Sequence, residues 1–268
     1  MTSRRVVGTL LAAALAGGAG GAGGLTTPVA ASAHSMPRQS WAESAPAFPP
    51  QATTHRVRLG ESVEGRPIVA RHVGDLDAPV QLVVIGQLHG SEPGGQGVVA
   101  RLSRSAVPAG VGIWLVETMN PDGARAGTRT NARAVDLNRN FPDDWRRAGR
   151  GTVQWSGPRA ASEPETRAMV RFLSQVRPAA VLGYHQAYDV VDISHRRSRP
   201  AGRALARWMG EQARIVGCSG PCHGTMTQWV DRALSAIALT VELDGDVSAA
   251  EADRAAAAVL RLGQWLGR

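Results

Sequence analysis

Residues 81–95 read QLVVIGQLHGSEPGG, and residues 120–142 read NPDGARAGTRTNARAVDLNRNFP. The first stretch opens on an unbroken apolar run, Leu82-Val83-Val84-Ile85, of the length and composition of a buried β-strand. The run breaks at Gly86, and the turn delivers His89 and Glu92 in an HxxE spacing. A strand that ends in a glycine turn with a helix behind it is where open α/β sheets keep their chemistry. A histidine and a glutamate three apart can converge on one ion, because imidazole nitrogen and carboxylate oxygen both suit Zn2+ at about 2.0–2.2 Å.

Outward from this stretch the pattern is regular. Arg56 to Leu59 alternates as a strand, residues 60–65 turn, and Pro67 to Val73 is the hairpin partner. Behind the HxxE turn a helix is expected over 95–105 and a second buried strand over 112–117, and the latter feeds the strong turn signal Asn120-Pro121-Asp122-Gly123. Residues 127–155 form a long, arginine-rich loop, and loops of that length in a compact domain are usually functional. Helices are expected over 162–175, 200–214 and 248–266. The first of these starts with a capping box from Ser162 to Glu165 and with Pro164 in its first turn. Further apolar strands run over 179–184, into His185, and over 235–243, carrying Glu242. Strands alternating with helices predict a single α/β domain over 55–268, a largely parallel or mixed sheet sandwiched by helices.

The N-terminus reads as a targeting segment. Arg4 and Arg5 precede an apolar Val6–Leu15 run, too short for the roughly 20 residues of a membrane span, and Ala31-Ser32-Ala33 fits a cleavage site. Residues 1–33 are thus expected to be a signal peptide, exported by the general or the twin-arginine route, and 34–54 a Pro- and Ser-rich linker or arm. The mature chain is expected to be secreted, monomeric and without a membrane span. In an oxidising location Cys218 and Cys222 would clip one loop as a disulfide. Every one of the 30 basic residues is arginine, and the net charge is +8. The arginines are interleaved with acids and lack an aromatic stacking platform, which argues against nucleic-acid binding. The serine-hydrolase elbow G-x-S-x-G is absent.

His89, Glu92, His185 and Glu242 each end or follow an apolar strand. A carboxylate within the apolar run Thr240-Val241-Glu242-Leu243 must be paired, ligated or protonated. Two histidines and one glutamate form a catalytic zinc set that leaves a fourth position for water, with Glu242 free as general base. Asp136 is a candidate acceptor that orients one ligand imidazole. Arg129 is placed to stabilise an oxyanion, and Asn138 with Arg139 to grip a substrate carboxylate.

At these residues the chain resembles the zinc carboxypeptidases of the A/B type. It has HGSE for the family's HxxE, NPDG after the next strand, the segment GTRTNARAVDLNRNFP, a lone histidine in GYHQ and a glutamate in TVELDG. The resemblance runs from about residue 55 to the C-terminus. It implies a mixed, mostly parallel sheet of about eight strands flanked by helices. It also implies one Zn2+ held by His89, Glu92 and His185, Glu242 as base, Arg129 as carbonyl polariser, and Asn138 with Arg139 as carboxylate clamp. The implied activity is metallocarboxypeptidase hydrolysis of a peptide with a free carboxylate. Two features depart from the pancreatic pattern: Gly90-Ser91 stands where an arginine lies between the ligands, and residues 217–229 contain no tyrosine. Thr227 and Gln228, where the side-chain pocket floor is expected, offer no acid for a basic residue. The murein peptide amidases, which cut the γ-D-glutamyl–diaminopimelate bond, are the second expectation, and an inactive wall- or peptide-binding module on the same scaffold is a third.

Overall fold

The computed structural model describes residues 55–216 and 222–268. Both targeting and linker expectations, at 1–33 and 34–54, lie outside these residues, as does Cys218. The described chain lies within one compact unit. In chain order it forms β1 (His55–Glu61), β2 (Pro67–Gly74), β3 (Val80–Ile85), α1 (Gly94–Leu102), β4 (Val111–Val116), α2 (Pro121–Ala126), α3 (Pro164–Val176), β5 (Ala180–Gln186), β6 (Val190–Asp192), α4 (Arg199–Met209), β7 (Gln212–Arg214), α5 (Met226–Trp229), β8 (Ile237–Leu243) and α6 (Ala249–Leu266).

The strands make one eight-stranded mixed sheet in the order β1-β2-β4-β3-β5-β8-β6-β7. Its centre, β4-β3-β5-β8, is parallel, while β1, β2 and β6 join antiparallel. The apolar run that opens the decisive stretch has a simple cause. Leu82 and Val84 face a core made with α1, α4 and α6, while Val83 and Ile85 face a second core that includes α3 and α5. A strand covered on both faces has no polar side to show, so alternation vanishes. Four of these side chains are wholly buried, each contributing about 1.5–3 kcal/mol relative to exposure.

Local expectations fail where tertiary partners outbid them. The 200–214 helix stops at Met209, because Gly210 takes φ 84° and turns the chain. Residues 212–214 become β7 instead, paired parallel to β6, a three-residue strand that was not expected. Ser162 does not cap α3. Its hydroxyl donates to Glu163 Oε1 at 2.6 Å and accepts from Asn140, while Glu165 receives the backbone N–H of Val63. Glu163 occupies the cap position, and its side chain makes no capping bond to the helix. The NPDG turn is the start of a helix: Asn120 accepts from Gly123 N, Pro121 opens α2, and Gly127 closes it at φ 65°. The helix after the HxxE turn begins one residue early and ends at Leu102.

Candidate metal centre

The site sits where the parallel strands end. β3 runs into the turn that carries His89 and Glu92. β5 places His185 near its end, and β8 places Glu242 directly beside it in register. Gly90 makes the HxxE turn possible. A Cβ there would lie 1.9 Å from the carbonyl carbon of Gly123, so the turn rests against the start of α2 with no room for a side chain. HGSE and NPDG are thus two halves of one contact.

Three ligand-type atoms meet. His89 Nδ1 lies 2.8 Å from Glu92 Oε2, His185 Nδ1 lies 2.8 Å from the same oxygen, and the two Nδ1 atoms are 3.1 Å apart. Two imidazole lone pairs and a carboxylate oxygen approach this closely only with a proton or cation among them. Ligands at about 2.0–2.1 Å in a tetrahedron stand roughly 3.3 Å apart, close to the observed spacing. The donor set fits a zinc ion with an open position. Three carboxylates elsewhere, Asp189, Glu211 and Glu251, also cluster. They include no imidazole, and Glu211 is pushed up to about 7, by burial first and then by its bond to Asp189.

Asp136 Oδ1 lies 3.1 Å from His89 Nε2. Burial alone would raise the Asp136 pKa, but His89, Arg129 and Arg139 outweigh it and hold the carboxyl well below the usual range. An ionised carboxylate only accepts, so His89 carries its proton on Nε2 and turns the Nδ1 lone pair to the cluster. Glu92 is likewise held low: burial opposes, and the bonds to His185 and His89 prevail. Burial lowers His185, and it would lower His89 too, but Asp136 and Glu92 raise the latter. The cluster is built to hold positive charge.

Arg129 bonds Asp136 Oδ2 through Nε at 3.0 Å and Glu92 Oε1 through Nη1 at 3.2 Å, leaving Oε2 to the histidines. Arg139 is buried. Its Nη1 donates to the Asn138 carbonyl at 2.8 Å and its Nε has no hydrogen-bond partner, while burial lowers its pKa. Asn138 is partly committed, for its Oδ1 accepts the Met226 N–H at the start of α5 at 2.9 Å. Cys222 is disulfide-bonded.

Glu242 borders the same cavity as these groups. Its Oε2 is buried without a hydrogen-bond partner. Burial, then the negative charge of Glu92, pushes its carboxyl up to about 7. A carboxyl there is balanced between holding and taking a proton near neutrality.

Sequence reasoning missed the residues that hold the loop still. Asn131 accepts from Arg133 N and Val135 N and donates to Glu163 and Glu165. Asn140 donates to the Ser156 carbonyl and Ser162 Oγ and accepts from Glu163 N. Both are buried, and between them they fix the segment that presents Arg129, Asp136 and Arg139. Asp192, at the end of β6, also borders the cavity. The signal available was an aspartate closing the apolar pair Val190-Val191.

An HxxE turn, a distant histidine and a carboxylate, all at the ends of parallel strands, define a metal-dependent hydrolase. The zinc carboxypeptidase profile matches residues 40–217, and the chain belongs to that family, whose members hydrolyse peptide bonds. Glu242 lies beyond the matched span and is brought to the site by β8. Murein peptide amidase A of Escherichia coli K12 is 28% identical over 177 residues, covering 62% of this chain and 69% of that one. The fold is shared with the murein-tripeptide amidase of Escherichia coli O157 (TM-score 0.64, 24% identity, 82% of this chain and 93% of that one). It is shared also with the carboxypeptidase A of Helicoverpa armigera (TM-score 0.63, 19% identity, 80% and 68%).

Proposed function

We propose that this chain is a zinc-dependent peptidase that releases a residue bearing a free carboxylate. The observation that carries this reading is the meeting of His89 Nδ1, Glu92 Oε2 and His185 Nδ1 within 3.1 Å, with Glu242 on the same cavity. Zn2+, when bound by these three groups, supplies Lewis acidity toward the attacking water and the scissile carbonyl. Glu242 accepts the proton of that water and returns it to the leaving nitrogen. Arg129 places positive charge beside the oxygen that gains an electron pair. Arg139, whose buried Nε is uncommitted, holds the carboxylate of the leaving residue together with Asn138.

Two outcomes follow here. Arg139→Ala raises KM for free-carboxylate substrates roughly 10–100-fold, the range of a lost charge-assisted bond, and leaves C-terminally amidated analogues unchanged. An equal effect on both removes the clamp. The pH profile of kcat/KM has an acid limb at or below about 7, because Glu242 must be ionised to act and a bound cation can only draw its carboxyl down from about 7. Activity therefore rises with pH through this limb. A limb that persists in Glu242→Gln belongs to another group.

Within this chemistry we favour murein peptides as substrate. The relatives named above support it, and so do the missing arginine between His89 and Glu92 and the missing tyrosine over 217–229. Hydrolysis of a panel ending in Ala, Leu, Arg and meso-diaminopimelate tests this. Preference for the last supports it, and preference for Leu or Ala returns the chain to ordinary carboxypeptidase activity. We propose further that the chain is exported, on the strength of Arg4-Arg5, the 6–15 apolar run and Ala31-Ser32-Ala33. Fractionation with N-terminal sequencing of the mature protein tests it, and a cytoplasmic, unprocessed chain contradicts it. Among the described residues no helix is long and apolar enough to cross a membrane.

A further inference from the structure

A second cavity lies at the other end of the sheet and shares no lining residue with the metal cavity. α1 packs over β3, β4 and β5. Beside it, the same face of the β1-β2 hairpin carries arginine. Arg71 shares a face with Val73, which packs into the core with α1, because residues two apart on a strand point the same way. Arg56 stands directly opposite Arg71 in the β1-β2 register. Arg104, just past the end of α1, lines the cavity from the helix side. The space they border is about 290 Å³, near the small end of ligand clefts, which run about 300–1,000 Å³. Its floor includes Val99 and Leu115, both buried.

Arg56, Arg71 and Arg104 are exposed, and among the described residues none of the three has a side-chain hydrogen bond or an ion pair. Arginines next to them are committed, Arg58 to Glu61 and Arg101 to Asp253. The cavity holds one carboxylate, Glu117, which bonds none of the three. The β2-β4 register sets Arg71 opposite Leu115 and Ala70 opposite Val116, so Glu117 falls opposite Val69, diagonal to Arg71 at about 7–8 Å. Gln96 does not offset the charge, for its amide donates away to Gln87 Oε1 at 2.7 Å. Like charges directly opposite on paired strands destabilise a sheet, and a bound anion relieves the Arg56–Arg71 pair. A carboxylate has two oxygens, enough for one guanidinium fork. A phosphate ester has three free oxygens and up to about two negative charges, so it can meet forks that come from three elements.

We propose that this cavity is a phosphate-binding site in which Arg56, Arg71 and Arg104 hold the oxygens of one phosphate group. Inorganic phosphate, a small phosphate ester and a phosphodiester polymer share that chemistry. Binding here is separate from the peptidase activity proposed above, since the two cavities have no residue in common.

The test is calorimetric titration of the full-length, zinc-loaded protein with inorganic phosphate, glycerol 3-phosphate and polyglycerol phosphate, with acetate as control, at fixed ionic strength. At least one phosphate probe is expected to bind saturably, about tenfold or more tighter than acetate. Arg71→Gln and Arg104→Gln are each expected to weaken that binding about tenfold, the effect of one lost charge-assisted hydrogen bond. Glu117→Gln removes the opposing charge and is expected to tighten it about threefold. Arg207→Gln, exposed on α4, removes the same charge elsewhere and is expected to leave binding within about twofold. Melting temperature and zinc content of each variant are measured alongside, and the contrast of phosphate with acetate stands without any variant. Phosphate taken up at the metal or by Arg139 would ignore these substitutions. Binding that survives Arg71→Gln and Arg104→Gln unchanged in folded protein therefore overturns the site. So does an equal loss in Arg207→Gln, acetate bound as tightly as phosphate, or no saturable binding of any phosphate probe. If the polymer binds more tightly per phosphate than glycerol 3-phosphate, the site holds a phosphodiester chain, and the reverse order assigns it to a small phosphate. None of these readouts needs turnover, so failure of this site and failure of the peptidase reading are seen separately.

Discussion

Glu242→Gln lowers kcat by about 10^3-fold or more and leaves one zinc per chain in place. General-base catalysis contributes about 10^2–10^4-fold, and a carboxamide of the same shape cannot take a proton. The substitution does not touch the three ligand-type atoms, since Glu242 stands beside His185 in register and makes no bond to it. The variant also carries a signature that a merely structural role would not produce. Folding raises the Glu242 pKa from an ordinary carboxylate value to about 7. A group raised in the folded state contributes stability that is fully present below its unfolded pKa and is lost as pH rises toward the folded one. In chelated, metal-free protein the Glu242 carboxyl therefore takes at most about 3 kcal/mol from the wild type between about pH 4.5 and pH 7, and Glu242→Gln lacks that part of the loss while the part due to Glu211 remains. At pH 8 with chelator the inactive variant melts above the wild type. Wild-type turnover in the variant removes Glu242 as the base, and an equally inactive wild type leaves only a binding module on this scaffold.

His89→Ala and His185→Ala each abolish stoichiometric zinc and with it hydrolysis. Each removes one of three atoms that stand within 3.1 Å of one another. The loss exceeds the roughly 10–100-fold in affinity that removal of an outer partner costs. Asp136→Asn belongs to that milder class. It keeps an oxygen for His89 Nε2 but gives up charge against Arg129 and Arg139, so zinc binds more weakly while its site survives. Metal analysis after dialysis against buffered zinc separates the cases. Full occupancy in both histidine variants removes the ligand assignment, and equal loss in Asp136→Asn removes the distinction between ligand and support.

Much of this site was legible because the sheet itself spaces its parts. A buried strand must be apolar, so a histidine or glutamate at its end stands out, and His89, Glu92, His185 and Glu242 were all visible in that way. The parallel core of the sheet was legible for the same reason. Local rules failed where a buried polar group found a distant partner. Ser162 has the right residues around it for a capping box, yet Asn140 and Glu163 claim its hydroxyl. β6 and β7 are three residues each and exist by pairing with each other and with β8, so neither carries a periodic signal. Asp192 was hidden with them, because only the pairing of β6 with β8 brings it to the cavity. Thr227 and Gln228 border the cavity and bring no acid to it, while Asp192 reaches the same cavity from β6.

The site turns on one point in space. Crystals grown from zinc-loaded protein, with anomalous scattering recorded on both sides of the zinc edge, locate that point directly. One strong peak per chain is expected, about 2.0–2.2 Å from His89 Nδ1, His185 Nδ1 and a Glu92 carboxylate oxygen, with Glu242 facing the open side. A peak on Asp189, Glu211 and Glu251 instead, or none where the two imidazoles and Glu92 meet, contradicts it.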